Sequence, residues 1–482
     1  MQNNLIYHIL KKNTQKSPSS IAFEFEDVSV TYNKFFNDCI NFSNYINHNN
    51  FKTIGIIGDY NYLSYVSIFG TLISGQTYVP INNNLPDQKI RKIISSSKID
   101  LISVSKLSLS RFLKFNIKKL NVKSLFKENY PVKKSKNSKT AYIIFTSGST
   151  GDPKGVPITR KNLYHYINWL IKNFVVKKGS RCSQFPNIGF DLSVVDIFST
   201  ICGGGTLVVP NNIFYKTFPA KFIQQNKITH TVFVPSYVDL MLNSRQLNKN
   251  FLGSLKQVFF CGEPLYENQI KKLFNLNKEL KIINSYGPTE ATVSCTKLLL
   301  NQKNYKKFCN DSVSIGKSIP GMKIKLLEHK NLENKIHEIL ISGNQVFNGY
   351  LGSKKLNKNK FLKINNTKYF KTGDLVEKIN KNIYFKRRLD TQIKIKGYRV
   401  ELNEIDTTIR KFGIQQTKTI YKNLKLISFV VTKKTKVSSL NTYLKSALPS
   451  YMIPNSIIIL KFFPKNINDK IDIKELIKKI RN

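Results

Sequence analysis

The stretch AYIIFTSGSTGDPKG, residues 141–155, joins a short apolar run to a loop rich in glycine and hydroxyl side chains. The run AYIIF is short and β-branched, which predicts a buried strand. Glycines let backbone N–H groups converge, and the hydroxyls and Lys154 add donors and a positive charge. The stretch therefore predicts a cradle for phosphate groups. It is not a Walker A loop, because Pro153 precedes Lys154. Taken by itself, it could equally be a plain surface loop.

Short apolar runs of the same kind recur along the chain and alternate with longer amphipathic stretches. They are IGIIG (54–58), TYVPI (77–81), GTLVVP (205–210), HTVFVP (230–235), KQVFF (256–260) and KIINSYG (281–287). This alternation predicts an α/β fold of layered helices and largely parallel sheet up to about Phe385. From GNQVFNGYLG to IYFKRRLD, residues 343–390, the pattern becomes hairpin-like, and past Asp390 a compact α+β tail follows. We expect a large domain over 1–389, a small mobile domain over 390–482 and a hinge at Asp390.

Composition limits the class of protein. The chain has 482 residues, of which 41% are hydrophobic and 22% charged, which suits a globular protein. No run approaches the ~18 apolar residues of a membrane span, and the first residues do not resemble a secretory signal. The six cysteines are scattered without a CxxC pair, so neither zinc nor a disulfide framework is indicated. We expect a cytoplasmic protein with no membrane span.

The net charge is +48, from 77 basic and 29 acidic residues. Such an excess can indicate a nucleic-acid or anionic-surface binder. Here the lysines are spread along the chain among many asparagines and isoleucines, which favours genome composition as the cause and no specific nucleic-acid partner. We expect the charge to attract anionic substrates and an acidic partner protein, less strongly as salt rises.

Further motifs follow the opening stretch in a fixed order. They are GFDLSVVDIF, FFCGEPL, NSYGPTEATV, YFKTGDL, RLDTQIKIKGYRVELNEID, LPSYMIP and NDKIDIKEL. Together they resemble the core motifs of adenylate-forming enzymes, specifically amino-acid adenylation enzymes. Weaker matches such as HEILISGNQVFNGY extend the resemblance over nearly the whole chain. Within the family, the motifs most resemble those of the D-alanine–D-alanyl carrier protein ligases, with free-standing peptide-synthetase adenylation enzymes close behind.

The resemblance implies that ATP and Mg²⁺ are bound. It assigns the phosphates to the loop of the opening stretch, the adenine to Asn284–Tyr286, the ribose to Asp374 and the metal to Glu290. From the residues alone, YGPTE would be a Gly-Pro turn with a capping threonine. The implied ATP-binding residues are Thr146, Ser147, Gly148, Ser149, Thr150, Gly151, Lys154, Asn284, Ser285, Tyr286, Gly287, Pro288, Thr289, Asp374, Phe385, Arg388 and Lys470. The family usually has glycine before that arginine, where this chain has Arg387.

The resemblance also implies an amino-acid pocket in which Asp191 is the counter-ion of the substrate ammonium. The residues it places around the substrate side chain are Leu192, Val195, Val232, Phe259, Cys261, Ser285, Val293 and Ser294. They are mainly apolar and suit a small amino acid such as alanine. Lys154 and Lys470 are the implied catalytic residues, and Lys470 would bridge the substrate carboxylate and the phosphate. The family usually has glycine before this lysine, where the chain has Asp469.

The motifs thus imply an enzyme that makes an aminoacyl-adenylate and transfers the acyl group to a phosphopantetheine thiol. No carrier motif follows Lys470, so we expect an acidic acyl or peptidyl carrier protein in trans. The alternatives are a peptide-synthetase adenylation enzyme for another amino acid, an acyl-CoA ligase, and an inactive, basic nucleic-acid-binding protein. Asp191 argues against the acyl-CoA ligase, and the acids Asp191, Glu290 and Asp374 argue against the inactive protein.

Overall fold

A computed structural model describes residues 4–26, 28–121, 130–131, 133, 137–148, 152–210, 212–329, 335–395, 397–433, 436–464 and 471–480. The chain divides into two compact units. The first comprises 1–83, 94–145 and 155–389, and the second comprises 84–93, 146–154 and 390–482. The assignment of 1–389 and 390–482 as separately moving domains stays a prediction.

The strands follow one another along the whole chain. They are β1 Ile21–Glu24, β2 Ser29–Thr31, β3 Thr53–Ile57, β4 Thr77–Ile81, β5 Leu101–Val104, β6 Lys118–Asn121, β7 Thr140–Thr146, β8 Lys154–Thr159, β9 Arg181–Ser183, β10 Thr206–Val208, β11 His230–Phe233, β12 Gln257–Phe260, β13 Lys281–Asn284, β14 Thr296–Leu300, β15 Lys317–Ser318, β16 Met322–Glu328, β17 Ile336–Gly343, β18 Phe361–Ile364, β19 Thr367–Ile379, β20 Asn382–Arg388, β21 Gln392–Ile395, β22 Tyr398–Glu401, β23 Thr417–Lys422, β24 Lys425–Val430 and β25 Ser456–Ile459.

The helices lie between these strands. They are α1 Leu5–Lys16, α2 Tyr32–His48, α3 Tyr62–Ile73, α4 Asp87–Ser97, α5 Lys106–Phe112, α6 Arg160–Asn173, α7 Ser193–Gly203, α8 Ile213–Thr217, α9 Pro219–Gln225, α10 Ser236–Asn243, α11 Lys249–Leu252, α12 Glu267–Leu276, α13 Lys354–Lys360, α14 Leu402–Lys411, α15 Lys436–Ala447 and α16 Ile473–Lys478. Among the described residues, none of these helices combines the length and the apolar character that crossing a membrane requires.

Two mainly parallel sheets form the frame of the first unit. One has the strand order β15-β14-β13-β12-β11-β9-β10-β1-β2, and the other has the order β6-β5-β3-β4-β7-β8. Strands β4, β11 and β12 are buried along their whole length, as expected of parallel strands covered on both faces. The pairs from β9 to β13 run parallel, whereas β14 and β15 pair antiparallel at one edge. The predicted α/β class is confirmed.

A third sheet of the first unit is antiparallel. Its strand order is β16-β17-β19-β18, and β20 also pairs with β19. The turn between β19 and β20 contains Asn380 at φ 53°, a conformation that asparagine tolerates better than most residues. The hairpin-like pattern expected for this part of the sequence is therefore present.

The second unit contains an α+β body in its C-terminal segment. Strands β21 and β22 form a hairpin, and β23, β24 and β25 form a three-stranded sheet. Helix α14 buries Leu402, Ile405 and Ile409, which form a core with residues of α15 such as Leu440 and Leu444. The compact α+β tail expected from the sequence is therefore present.

Candidate active site

Three predicted nucleotide-binding residues of the first unit form one polar cluster. The hydroxyl of Tyr286 donates to Oδ2 of Asp374 at 2.6 Å, and the guanidinium of Arg388 pairs with Oδ1 of the same carboxylate. Arg388 also donates from Nη2 to the carbonyl of Thr372 at 3.1 Å. Asp374 is only 7% exposed, so these donors stabilise its charge where little water reaches it. The cluster fixes a carboxylate beside a tyrosine ring.

The segment that carries Tyr286 follows β13, and its backbone is held closely. Asn284 donates from Nδ2 to the carbonyl of Ser314 at 2.8 Å, and the backbone N–H of Ser285 donates to Phe260 at 2.9 Å. A Cβ placed on Gly287 would lie 2.5 Å from Cα of Ser294, so glycine is required there. Both Asn284 and Ser285 are buried, and they therefore position Tyr286.

Burial is the main cause that raises the pKa of Tyr286 well above its ordinary value, and the neighbouring charge of Asp374 raises it further. The tyrosine hydroxyl thus stays protonated as a donor to the carboxylate. Phe385 of β20, another predicted nucleotide contact, packs together with Tyr286 against the buried side chains of Ile315, Ile339 and Val376. The rings of Tyr286 and Phe385 therefore lie on one apolar cluster, and Tyr286 is hydrogen bonded to the ion pair of Asp374 and Arg388.

Glu290 lies two residues beyond Pro288, in the short 3₁₀ helix Thr289–Ala291. Its side chain is buried, and its Oε1 accepts a hydrogen bond from the hydroxyl of Tyr350 at 2.5 Å. Pro288 and Thr289 are partly exposed. The predicted metal ligand is therefore oriented by a tyrosine from the loop after β17, a residue the sequence analysis did not single out although it lies in the GNQVFNGYLG stretch.

Thr292 and Val293 have positive φ angles of 55° and 72°. Branched side chains rarely adopt this conformation, so the surrounding structure has to hold it. The hydroxyl of Thr292 donates to the carbonyl of Gln345 at 2.7 Å, and the carbonyl of Val293 accepts from Sγ of Cys261 at 3.9 Å. The strained turn therefore places Val293 next to Cys261, and both residues are predicted to line the amino-acid pocket. The β-propensity of threonine and valine does not predict this turn.

Asp191 and Leu192 directly precede helix α7. The carboxylate of Asp191 lies close enough to Tyr142 and Tyr166 to help raise the pKa of both, although burial is the main cause. The hydroxyl of Tyr166 is hydrogen bonded to Oγ of Ser294 at 3.0 Å. The predicted apolar lining residues belong to one buried core: Leu192, Val195, Val232, Phe259, Cys261 and Val293. These residues share one core of the first unit, and their role as the lining of an amino-acid pocket stays a prediction.

The predicted phosphate loop belongs to the second unit. The hydroxyl of Ser147 donates to the carbonyl of Arg399 at 2.8 Å, and a Cβ on Gly148 would lie 2.2 Å from the carbonyl oxygen of Asp152. The hydroxyl of Thr146 is buried and has no hydrogen-bond partner among the described residues. A buried orphaned hydroxyl is costly and fits a ligand oxygen. Lys154 begins β8.

Four predicted site residues lie outside the described residues: Ser149, Thr150, Gly151 and Lys470. The predicted hinge residue, Asp390, begins the last segment of the second unit. Its Oδ1 accepts from the backbone N–H of Gln392 at 3.2 Å, which makes a local turn of the chain before β21. Its role as a hinge stays a prediction.

The chain belongs to the family of AMP-binding enzymes, whose family model matches residues 10–351. It is therefore an adenylate-forming enzyme, and such enzymes use ATP.

Among its relatives is the D-alanine–D-alanyl carrier protein ligase of Bacillus licheniformis, which is 30% identical over 97% of this chain and 98% of that protein. The ligase of the same name from Bacillus cytotoxicus is 29% identical over 98% of each protein. Polyketide synthase PksN of Bacillus subtilis is 28% identical over 98% of this chain but only 9% of its own length.

Solved structures share the fold. The adenylation domain AlmE of Vibrio cholerae, solved with glycyl-adenosine-5′-phosphate, has a TM-score of 0.87 and 24% identity over 99% of this chain and 98% of AlmE. The o-succinylbenzoate CoA synthetase MenE of Bacillus subtilis has a TM-score of 0.83 and 19% identity over 98% of each chain. At these identities the likeness concerns the fold alone.

Proposed function

We propose that this enzyme activates a small amino acid, with D-alanine favoured, and transfers it to the phosphopantetheine thiol of a separate, acidic carrier protein. The observation that carries the proposal is the carboxylate of Asp191, which lies near the buried ring of Tyr166 and directly before Leu192, a residue of the buried apolar core. A carboxylate at the edge of an apolar core is a suitable counter-ion for a positive group. An α-ammonium group supplies that charge, and the bulky ring of Phe259 favours a short side chain.

In the first step the amino-acid carboxylate attacks the α-phosphate of ATP, a P–O bond forms, and the bond to pyrophosphate breaks. The protein's task is to position the reactants and to stabilise charge on the phosphoryl oxygens. Tyr286 offers a ring to the adenine, and Asp374 accepts hydrogen bonds from the ribose hydroxyls. The buried hydroxyl of Thr146 donates to a phosphate oxygen, and the ammonium of Lys154 binds the phosphates by its charge.

The residues of this chain fit a magnesium ion carried by the nucleotide. Glu290 supplies one buried carboxylate, oriented by Tyr350. The described residues contain no group of three or more histidine, cysteine or acidic residues that could hold a metal, so the remaining ligands would be phosphate oxygens and water, as Mg²⁺ prefers. Bound there, the ion would neutralise charge on the phosphates.

Lys470 is proposed to stabilise the transition state of the first step as a fixed positive charge. In the second step the carrier thiol loses its proton and its sulfur attacks the carbonyl carbon of the adenylate. A C–S bond forms, the C–O bond to AMP breaks, and the thioester is released with the carrier. The net charge of +48 favours an acidic carrier. We propose that the segment after Asp390 changes orientation between the two steps.

Two other functions of the same superfamily compete with this proposal. The fold shared with an adenylation-PCP di-domain of a nonribosomal peptide synthetase from Klebsiella oxytoca agrees with a peptide-synthetase type of adenylation enzyme acting on another amino acid. The fold shared with MenE agrees with an acyl-CoA ligase, but Asp191 opposes it because an acyl substrate brings no ammonium partner. We therefore rank the acyl-CoA ligase last.

The proposal is tested by ATP–pyrophosphate exchange with a panel of D- and L-amino acids, glycine and short fatty acids. We expect D-alanine to give the fastest exchange and fatty acids to give none. Exchange driven best by a large or L-amino acid would support the peptide-synthetase alternative, and exchange with fatty acids would support the acyl-CoA ligase. No exchange with any acid, by a protein that still binds ATP, would contradict an adenylating function.

A further inference from the structure

The loop that carries Asp374 is a bulge in strand β19. Leu340 of β17 pairs with Lys371, and Glu338 pairs with Leu375. Thr372, Gly373 and Asp374 are therefore left opposite the single residue Ile339. Extra residues in a bulge lose ladder partners and turn a side chain away from its regular direction. Gly373 adopts φ 75° here, which glycine allows without a steric penalty.

The bulge leaves a backbone N–H group to be satisfied inside the protein, and a side chain satisfies it. Oε1 of Glu338 accepts from the N–H of Gly373 at 2.9 Å. Its other oxygen accepts from Nε2 of His329, also at 2.9 Å. The side chain of Glu338 is 2% exposed. A buried carboxylate hydrogen bonded to a backbone N–H is a strong interaction and is costly to disrupt.

The same glycine is held on its other side as well. Its carbonyl accepts from the N–H of Leu389 at 2.8 Å, and the N–H of Asp374 donates to Oγ1 of Thr372 at 3.0 Å. Of these three hydrogen bonds, the one to Glu338 involves a charged side chain, whereas the other two do not. Moving Gly373 moves the Cα of Asp374 with it, because the peptide plane between them is rigid.

We infer that Glu338 is a positioning residue for the nucleotide: it fixes the Gly373 bulge so that the carboxylate of Asp374 faces the ribose hydroxyls. This inference rests on the proposed function, in which Asp374 accepts those hydroxyls. Glu338 itself does not contact the ligand. Its effect is therefore specific to the ribose, whereas a purely structural residue would change the binding of every nucleotide alike.

The test is the dissociation constant of ATP and of 2′,3′-dideoxy-ATP, measured by titration calorimetry on the full chain, so that no amino acid enters the assay. Glu338→Leu removes the acceptor while keeping an aliphatic side chain. We expect its ATP dissociation constant to rise about tenfold, as for the loss of one charge-assisted hydrogen bond, and that of dideoxy-ATP to stay within about threefold. The preference for ATP therefore falls.

Matched variants separate positioning from folding. Glu338→Gln keeps an acceptor for Gly373 and should retain the ATP preference within about threefold, and so should His329→Gln, which changes only the partner of the other oxygen. Should Glu338→Leu not fold, Glu338→Asp draws the acceptor back by one methylene and should lose at least about threefold in ATP preference. Circular dichroism checks the fold of each variant.

The Asp374→Ala variant separates this inference from the proposed function. If Asp374→Ala abolishes the preference for ATP over dideoxy-ATP and the folded Glu338→Leu or Glu338→Asp variant keeps it, Glu338 is a structural residue and the inference is wrong. If Asp374→Ala keeps the preference as well, the assignment of Asp374 to the ribose fails first, and the inference fails with it.

Discussion

Asp374 and Asp191 are two acids of the same unit in very different surroundings. Asp374 is covered by donors of the chain itself, the hydroxyl of Tyr286 and the guanidinium of Arg388. Asp191 precedes helix α7 beside two buried tyrosines and an apolar core. An acid whose charge the protein already balances suits a neutral ligand such as a sugar hydroxyl. An acid in apolar surroundings suits a cation, which stabilises it on binding.

In the proposed function, this difference lets the enzyme bind two different reactants with the same functional group, a carboxylate. At Asp374 the protein itself supplies donors and a positive charge to the carboxylate, and we propose that this carboxylate is thereby positioned for the nucleotide. We propose that at Asp191 the ammonium group of the amino acid is recognised by its charge, so that a substrate without an ammonium group binds more weakly. In the proposed function, specificity for the nucleotide and specificity for the amino acid therefore have separate physical origins.

Removing the arginine beside Asp374 should have the largest effect. Arg388→Leu leaves a buried carboxylate without its cation, and we expect the free energy of unfolding to fall by about 3 kcal/mol. The double variant Arg388→Leu/Asp374→Leu should recover most of this stability, because no charge remains unbalanced, but it should not recover ATP binding. Urea unfolding measures the stability of the single and the double variant. A single variant as stable as wild type would show that Asp374 does not depend on Arg388.

A variant of Lys470 tests whether ligand binding at Asp374 and Asp191 can be separated from the chemical step of adenylate formation. Lys470→Ala should slow adenylate formation by about 100-fold, roughly 3 kcal/mol in barrier height, because a charge used mainly in the transition state is lost. ATP and amino-acid binding should both persist. Single-turnover pyrophosphate release is the measurement, with Lys479→Ala as a control in the same C-terminal segment. Adenylation within about threefold of wild type would exclude this role.

Asp390 tests whether the two half-reactions need different orientations of the C-terminal segment. Asp390→Pro restricts φ at this residue and also the conformation of Leu389. We expect adenylation to persist and transfer to the carrier thiol to fall at least tenfold, about 1.4 kcal/mol. Asp390→Ala, which keeps backbone freedom, is the control. Equal losses in pyrophosphate release and in carrier loading, with the fold retained, would contradict a hinge at this position.

The smallest effect concerns the tyrosine that donates to Asp374. Tyr286→Phe removes one hydrogen bond and should cost about 1 kcal/mol of stability at pH 8. The pKa of Tyr286 is raised in the folded protein, so its contribution is present below the ordinary pKa of about 10 and is lost above it. The advantage of wild type over Tyr286→Phe should therefore shrink from pH 10 to 11. A constant advantage would mean that Tyr286 titrates normally.

Much of the fold was predictable because buried parallel strands leave a direct mark in the sequence. Runs such as TYVPI and QVFF are mainly apolar, and each forms a fully buried strand. The strands β22 and β23 carry no such mark, since YRVE and TKTIYK mix charged and apolar residues. Their pairing is decided by neighbours in space, which a single-sequence pattern does not contain.

The site shows the same limit. The motifs indicate Tyr286 and Asp374 as nucleotide-binding residues. Only the folded chain shows that these two residues, 88 positions apart in the sequence, are hydrogen bonded to each other. The bulge at Gly373 results from a register shift between two strands, and HEILISG alone gives no sign that Glu338 supports it. The positive φ angles of Thr292 and Val293 run against the preference of branched side chains, so local propensity predicts the opposite.

The most direct test of the difference between the two acids is a paired measurement of Michaelis constants for Asp191→Asn and Asp374→Asn in the pyrophosphate-exchange assay, using the best amino acid of the panel. We expect Asp191→Asn to raise KM for the amino acid about 30-fold and to leave KM for ATP within about threefold. We expect Asp374→Asn to raise KM for ATP about tenfold and to leave that for the amino acid unchanged. Equal changes in both constants for either variant would contradict the separate roles of the two acids.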